Sequence, residues 1–409
     1  MMNKRKLPWL MWSMIVLFYF YQYFLRVCPV VLTDEFIHYF HIDASELGSF
    51  SATYFLIYAI LQIPVGILMD RYGAKLVLPS ACCVCAVGAI LLGFSESLWL
   101  ANLGRLMQGA GSSFAFIGMI YISAHYFPVS ILGFLVCLGD SLGKLGAVCA
   151  SGPFAELIQT FSWNVSMIWI GIAGVLLAIA LYILLPAKLL THDTPCALRL
   201  KHLLKMLLQE KSMWVICCIS SLLVVTTTAF AGLWGVPFLQ TGYSMSKTSA
   251  SFAISVFFLG SILGSPTIGY VSDLCGKRKP FLFFAGLLGA LCISVLVYFP
   301  SFSDLGVYGL LFILGILTSI QNLTYCVAIE NNQPEYKGSI TGYVNLFVFL
   351  LGAISHPLVG FLMEQHSTLV FKNSSMYSLK DFQYSFMFFP FSFASACLLS
   401  VFVCDKKKI

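Results

Sequence analysis

Charge is what this chain has least of. Of its 409 residues only 10% are Asp, Glu, Lys or Arg, where an ordinary soluble domain has about 25%. Since 59% are hydrophobic, so few charged groups cannot cover the apolar area in water, and the chain is placed in a lipid bilayer. Catalytic signatures are missing too. There is no P-loop, HExxH, nucleophile elbow or paired cysteine metal motif, so neither an enzyme nor a bound cofactor or metal is expected. Without an ATP-binding segment, energy must come from gradients or exchange. The 14 cysteines fall nearly all inside apolar runs. Cys82-Cys83-Val84-Cys85 has no second pair at ligand spacing, so these read as small buried hydrophobes.

What is present is a series of runs long enough to cross a membrane, which takes roughly 20 apolar residues. Twelve are found, at 8–32, 47–69, 76–95, 98–124, 131–157, 164–186, 212–239, 248–271, 280–299, 304–329, 338–363 and 384–404. The first is too long, and too poor in a small-residue cleavage site, for a removable signal, so it reads as the first span. Of the Lys and Arg outside the spans, only Lys247, Lys372 and Lys380 fall on the side opposite the amino terminus. That bias puts both termini in the cytoplasm. The net charge of +6 is thus an orientation signal, and no nucleic-acid partner is expected.

Six runs precede the polar segment 187–211 and six follow it. The expected organisation is a six-helix bundle over 1–186, a cytoplasmic linker over 187–211 with the character of an amphipathic surface helix, and a second bundle over 212–409. "VGILMDRYGAK" (Val65–Lys75) and "IGYVSDLCGKRK" (Ile268–Lys279) share Gly, Asp and Gly at matching positions, 203 residues apart. Each joins the second and third spans of its half. Such repeats mark secondary transporters. Gly66 and Gly269 are expected to let a helix end approach a neighbour. Asp70, Arg71, Gly73, Asp273 and Gly276 would complete a latch that forms in one conformational state.

"GILMDRYGAK" and, in the fourth span, "GRLMQGAG" (Gly104–Gly111) resemble the signatures of the major facilitator superfamily, over essentially the whole chain. "FAGLWGVPFL" (Phe230–Leu239), "GSPTIGYVSD" (Gly264–Asp273) and "HPLVGFLME" (His356–Glu364) resemble its bacterial branch of phagosomal nutrient transporters, which implies amino acids or nucleosides as cargo. Leu274 stands where the loop signature has Arg, and "SGPFAE" (Ser151–Glu156) lacks the closing glycine pair of the antiporter signature. The fold expected is all-α, with twelve transmembrane helices in two pseudo-symmetric halves.

Charges inside a span cost about 2.5–3.5 kcal/mol each on insertion scales, so every one is a functional suspect. Tyr19, Gln22 and Arg26 form a polar stripe on the first span, with Tyr23 alongside. A guanidinium there suits a carboxylate or phosphate; the alternative is that Arg26 snorkels or ties to Asp34 or Glu35. Arg105 heads a face shared with Gln108 and Ser112, and the resemblance implies coupling or inter-helix bonding for it. Asp140 and Lys144, four apart, can neutralise each other, and such a pair can also open for substrate. In the second half Thr226, Thr227, Thr228 and Trp234 precede Gly235 and Pro237, where the helix is expected to bend; Gln321, Asn322 and Tyr325 cluster in the tenth span. The hydroxyls of at least two of the three threonines are expected to bond back to their own helix. Asn345 and His356 share a helix face, His356 as a proton carrier or as partner to a carbonyl freed by Pro357. Glu330, with Asn331 and Asn332, fits an inner gate. Trp9, Trp12 and Trp99 suit the interface belt.

These readings converge on a monomeric, proton-coupled carrier of a small amino acid or other zwitterionic or anionic metabolite in a bacterial inner membrane. A nucleoside or organic-anion carrier or exchanger is the alternative within transport, and a non-transporting sensor the alternative outside it.

Overall fold

The computed structural model describes residues 7–186, 209–332, 337–367 and 377–403, with some side chains inside the helices excepted. The expected linker, 187–211, lies outside the described residues as far as 208. Among the described residues there is no strand, and eleven helical stretches are long and apolar enough to span a membrane. The fifth apolar run is a further helix interrupted once, α6 (Val129–Ala150) followed by α7 (Gly152–Thr160). Together they make the twelve-helix arrangement expected from the sequence. Backbone polar groups in hydrocarbon must be satisfied within the chain, which is why every crossing is helical.

The chain separates into two units, Met1–Cys28 with Thr53–Thr194, and Pro29–Ala52 with Pro195–Ile409. In the first, α1 (Leu7–Val27) packs on α6 and α5 (Leu98–Tyr126), and α4 (Ala74–Gly93) packs between α5 and α8 (Trp163–Leu184). Glycines set these distances. A Cβ on Gly146 of α6 would stand 2.1 Å from the Phe20 carbonyl oxygen of α1, and one on Gly111 of α5 2.2 Å from that of Ala81. Without a hydrophobic drive between helices in lipid, close backbone approach through small residues supplies the contact. Trp12, expected at the interface, is only 4% exposed inside this unit, while Trp9 and Trp99 are exposed.

In the second unit the seventh span runs as α9 (Lys211–Val225), a π-helical stretch at Thr226–Trp234, and α10 (Gly235–Tyr243). The irregularity therefore runs up to Gly235 and ends three residues before Pro237. The remaining spans are α11 (Lys247–Cys275), α12 (Lys279–Tyr298), α13 (Asp304–Ser319) continued by α14 (Asn322–Glu330), α15 (Lys337–His366), and α16 (Leu379–Ser385) continued by α17 (Phe388–Ser400). Phe230, Phe238, Phe386 and Phe389 form an aromatic core with centroids 5.0 to 6.0 Å apart.

One segment of the sequence's first half belongs by its contacts to the second unit. It comprises α2 (Thr33–Phe40), which no apolar run announces, and the first turns of α3 (Ala44–Tyr72). Lys247 binds both oxygens of Glu35, Nζ to Oε2 at 2.6 Å. The Ser45 N–H donates to Glu364 Oε1 (2.7 Å) and the Ala44 N–H to the Tyr377 hydroxyl (3.1 Å). Gly48 and Gly360 let α3 cross α15 at backbone contact, their Cβ positions lying 2.5 Å from the His356 and 2.3 Å from the Ala44 carbonyl oxygen. Glu35 is thus paired with Lys247. Beside it, burial pushes the Asp34 carboxyl above its ordinary range, with Lys247 opposing and Glu35 adding to the rise.

The two loop signatures keep one shared device. Gly73 before α4 and Gly276 after α11 both have positive φ, 74° and 63°, where only glycine is unstrained. Gly269 does not mediate close approach, since a Cβ there would meet nothing within 4 Å. The surroundings of Gly66 and the Asp70 side chain lie outside the described set.

Candidate functional site

Around α1 the membrane-embedded charges Arg26, Arg105, Asp140 and Lys144 have different surroundings. Arg105 is fully buried. Its Nη1 donates to the Leu25 carbonyl (2.7 Å) and to Gln108 Oε1 (2.8 Å), and Gln108 Nε2 donates to the Gly88 carbonyl (3.2 Å). Its guanidinium carbon lies 4.8 Å from the Tyr54 ring centroid. These contacts tie α5 to α1 and α4, which is the inter-helix bonding alternative for Arg105.

Arg26 has company suited to a ligand. Its Nη2 donates to Gln22 Oε1 (2.9 Å), which also accepts from the Tyr54 hydroxyl (3.1 Å). The Tyr23 and Tyr58 ring centroids lie 4.3 and 5.2 Å from the guanidinium carbon, a cation–π cage in a desolvated setting. Gln22 is fully buried, and its Nε2 has no hydrogen-bond partner among the described residues. A buried donor left unmade costs about 1–3 kcal/mol, so a ligand acceptor beside Arg26 would recover that energy.

One helix over, Lys144 Nζ sits 2.8 Å from Asp140 Oδ2, their side chains 12% and 18% exposed. The Tyr19 hydroxyl donates to Asp140 Oδ1 (3.1 Å). The pair predicted from the four-residue spacing is formed, and Tyr19 links it to the stripe of α1. Gly143 makes that link geometrically feasible: a Cβ there would stand 2.2 Å from Tyr19 Cδ1. Arg26 and Tyr23 are within electrostatic reach of Lys144. Tyr54 and Tyr58 escape a search for charges in the spans, although their four-residue spacing, continued by Gln62, puts them on one face of α3. So do Gly139, Gly143 and Gly146, a small-residue pattern that marks a packed helix face.

In the second unit the polar residues chiefly bind one another. Gln321 Nε2 and Thr324 Oγ1 reach Ser220 Oγ at 2.7 and 2.9 Å, and Asn322 Nδ2 donates to Ser265 Oγ (2.8 Å). Gln321 stands at the break between α13 and α14. The Tyr325 hydroxyl donates to Asn345 Oδ1 (2.9 Å). Trp234, 1% exposed, donates its indole N–H to the His356 carbonyl (3.3 Å), which makes it a tie between the π-helical stretch and α15. His356 Nδ1 lies 2.6 Å from the Gly352 carbonyl, so that nitrogen carries the proton, since a carbonyl only accepts. This is its own helix's carbonyl, one residue before the Ala353 carbonyl that Pro357 leaves free. Of the threonine run, Thr228 bonds back to Val225 (3.1 Å), whereas the Thr226 hydroxyl is buried with no partner among the described residues; the expected pair of back-bonded threonines is therefore not found.

Glu330 is bound to the second loop signature. Arg278 Nη2 donates to Asp273 Oδ1 (2.5 Å) and to Glu330 Oε1 (3.1 Å), and its Nη1 to Ser272 Oγ. The α11–α12 turn is thereby fastened to the end of α14. In the first signature Arg71 is exposed, its guanidinium carbon 5.3 Å from the Tyr72 ring centroid.

Comparison with known proteins accords with this arrangement. The chain is 33% identical over 167 residues to an uncharacterized transporter, YybO, of Bacillus subtilis, an alignment covering 41% of this chain and 38% of that one. It is 26% identical to the membrane sensor protein UhpC of Salmonella typhimurium (87% and 85% covered) and 24% identical to a hexuronate transporter of Bacillus subtilis (90% of each). The crystal structure of a point mutant of the nucleoside transporter NupG superposes with a TM-score of 0.74 at 15% identity, over 96% of this chain and 99% of that one, a likeness of fold. The Major Facilitator Superfamily profile matches residues 11–235 and 217–409. The chain therefore belongs to the Major Facilitator Superfamily, as a multi-pass integral membrane protein of a transporter family and not an enzyme.

Proposed function

We propose that the chain is a secondary active carrier that takes up a small organic anion together with protons, by alternating access. The observation that carries this reading is the charge around α1. Arg26 lies within electrostatic reach of Lys144, which is paired with Asp140, and Gln22 offers a buried donor beside Arg26. An anion is complementary to the two cations of this group, Arg26 and Lys144. A zwitterionic amino acid would bring an ammonium as well, and so no net negative charge to a group of two cations and one acid. A neutral nucleoside would bring no charge complementary to the Arg26 guanidinium. The hexuronate specificity of one relative points the same way.

Tyr19, Gln22 and Arg26 are the proposed substrate-binding residues. Tyr325 and Asn345 are proposed as further polar contacts; Gln321 and Asn322 shape the break in their span. Asp140 and Lys144 serve coupling. Asp273, Arg278 and Glu330 act as the latch, with Gly276 shaping its turn, as Gly73 does in the first copy. Both termini face the cytoplasm of a bacterial inner membrane, and one copy of the chain suffices for transport.

Uptake into proteoliposomes of labelled D-glucuronate, D-glucarate, benzoate, L-alanine and uridine, with and without an inward proton gradient, tests the reading. Acids accumulated only with the gradient support it; L-alanine or uridine accumulated in their place would refute it. Likeness to a membrane sensor along 87% of the chain favours one other reading, a receptor that binds an anion without moving it. Binding without uptake in sealed vesicles would establish that instead.

A further inference from the structure

We infer that Asp140 is an internal stand-in for the substrate carboxylate: it holds Lys144 while the site is empty, yields the ammonium to the incoming anion, and then takes up a proton. The inference rests on the anion reading above and adds the residue through which anion and proton are linked.

Three observations carry it. Asp140 presents a carboxylate to an ammonium at 2.8 Å and to a phenol hydroxyl at 3.1 Å, two contacts that a substrate carboxylate in the same place would make. Both side chains of the pair keep part of their surface accessible, 12% and 18%, so the ion pair is reachable, unlike the fully buried Arg105. Finally, Gly143 lies between the two residues in sequence and admits the Tyr19 ring, which keeps the phenol on Asp140 while a rotamer change of Lys144 opens the pair.

The groups facing Asp140 determine its charge once the pair opens. From α1 these are Tyr19, with Tyr23 and Arg26 beyond it; from α6 itself, Lys144. From α5, Phe116 packs against the Tyr19 ring at 5.5 Å, while Arg105 is turned to Leu25 and Gln108. When Lys144 transfers to the substrate, Asp140 keeps only the Tyr19 hydroxyl. A carboxylate without its counter-ion in the membrane interior is disfavoured, so it binds a proton. The balance closes: one carboxylate arrives, Asp140 becomes a neutral carboxylic acid, and the net charge of the site is unchanged. No covalent bond other than the Asp140 O–H forms. Entry of a monoanion with one proton is therefore electroneutral.

Calorimetric titration of the purified full-length protein with D-glucuronate, D-glucarate, benzoate, L-alanine and uridine, in buffers of different ionisation enthalpy, measures binding and proton uptake directly. The wild type is expected to take up close to one proton per anion, with affinity falling about tenfold per pH unit over the linked range. Asp140→Asn is expected to bind with no linked proton and no such slope. Should that variant not fold, Tyr19→Phe serves: it removes the phenol contact to Asp140 Oδ1, and the pH dependence of acid binding is expected to differ from that of the wild type; an unchanged dependence counts against the inference. An acid that binds the wild type without proton uptake, or proton uptake that survives in Asp140→Asn, overturns the inference and leaves the anion reading standing. Binding of L-alanine or uridine but of no acid overturns the anion reading, and the inference with it; so does the absence of binding by every acid.

Discussion

Two glycine-to-alanine changes one turn apart on α6 should fail in different ways. At Gly146 the added methyl would lie 2.1 Å from the Phe20 carbonyl oxygen and 3.0 Å from the Phe24 amide nitrogen. Both are backbone atoms of α1, so the helices must separate. At Gly143 the methyl would lie 2.2 Å from Cδ1 and 2.6 Å from Cε1 of Tyr19, side-chain atoms that can rotate away. Overpacking typically costs about 1–3 kcal/mol, whereas alanine in place of glycine favours a helix by about 1 kcal/mol. Gly146→Ala, whose methyl meets backbone atoms, is therefore expected to lose up to about 2 kcal/mol net. Gly143→Ala should come out near zero in stability, because a side-chain rotation relieves it, yet the rotation removes the Tyr19 hydroxyl from Asp140. Gly309→Ala on α13, where a Cβ meets nothing within 4 Å, is the control and should not destabilise. Thermal unfolding in detergent, read by tryptophan fluorescence, separates the three, and uptake in proteoliposomes reports the Tyr19 contact. Equal losses of stability at 143 and 146, or full uptake by Gly143→Ala, would refute the reasoning.

Single contacts give three further expectations. Arg26→Ala should weaken acid binding by about thirtyfold or more, since truncating a buried charged partner costs about 2–5 kcal/mol; Arg26→Lys should restore only part, because a point charge lacks the planar fork. Equilibrium binding of D-glucuronate checks both. Lys247→Ala should cost about 1 kcal/mol or less, because the side chains of its pair with Glu35 are 23% and 29% exposed and screened; Glu35→Gln combined with Lys247→Ala should be no worse than either alone in thermal unfolding. Gly276→Ala should lose about 1–2 kcal/mol from its left-handed backbone, and Gly269→Ala should lose none, by the same measurement.

The spans were legible in the sequence because hydrocarbon thickness fixes their length, and every expected run has its helix or helix pair. Local charge pairing was legible for the same kind of reason: a four-residue spacing put Asp140 beside Lys144 before any tertiary contact was known. What could not be read was contact between distant segments. The attachment of Pro29–Ala52 to the second unit depends on Glu35 meeting Lys247 and Ser45 meeting Glu364, pairs more than 200 residues apart, and no periodicity encodes them. The loop signature marked Asp273 and the end of the tenth span marked Glu330 separately, while nothing local showed that Arg278, within the quoted loop stretch, joins them across 52 residues. His356 and Trp234 looked like transport-path residues from composition. The structure gives the His356 ring and the Trp234 indole backbone partners, Gly352 and His356, which only a packed helix pair reveals.

The most direct test of the account is uptake of labelled D-glucuronate, D-glucarate and benzoate into proteoliposomes with the proton gradient and the membrane voltage imposed separately. The account predicts that at least one acid accumulates when the pH gradient alone is present, that for a monoanion the initial rate is indifferent to voltage, and that Arg26→Ala abolishes uptake. Uptake of a monoanion driven by voltage but not by the pH gradient, or full uptake by Arg26→Ala, would contradict it.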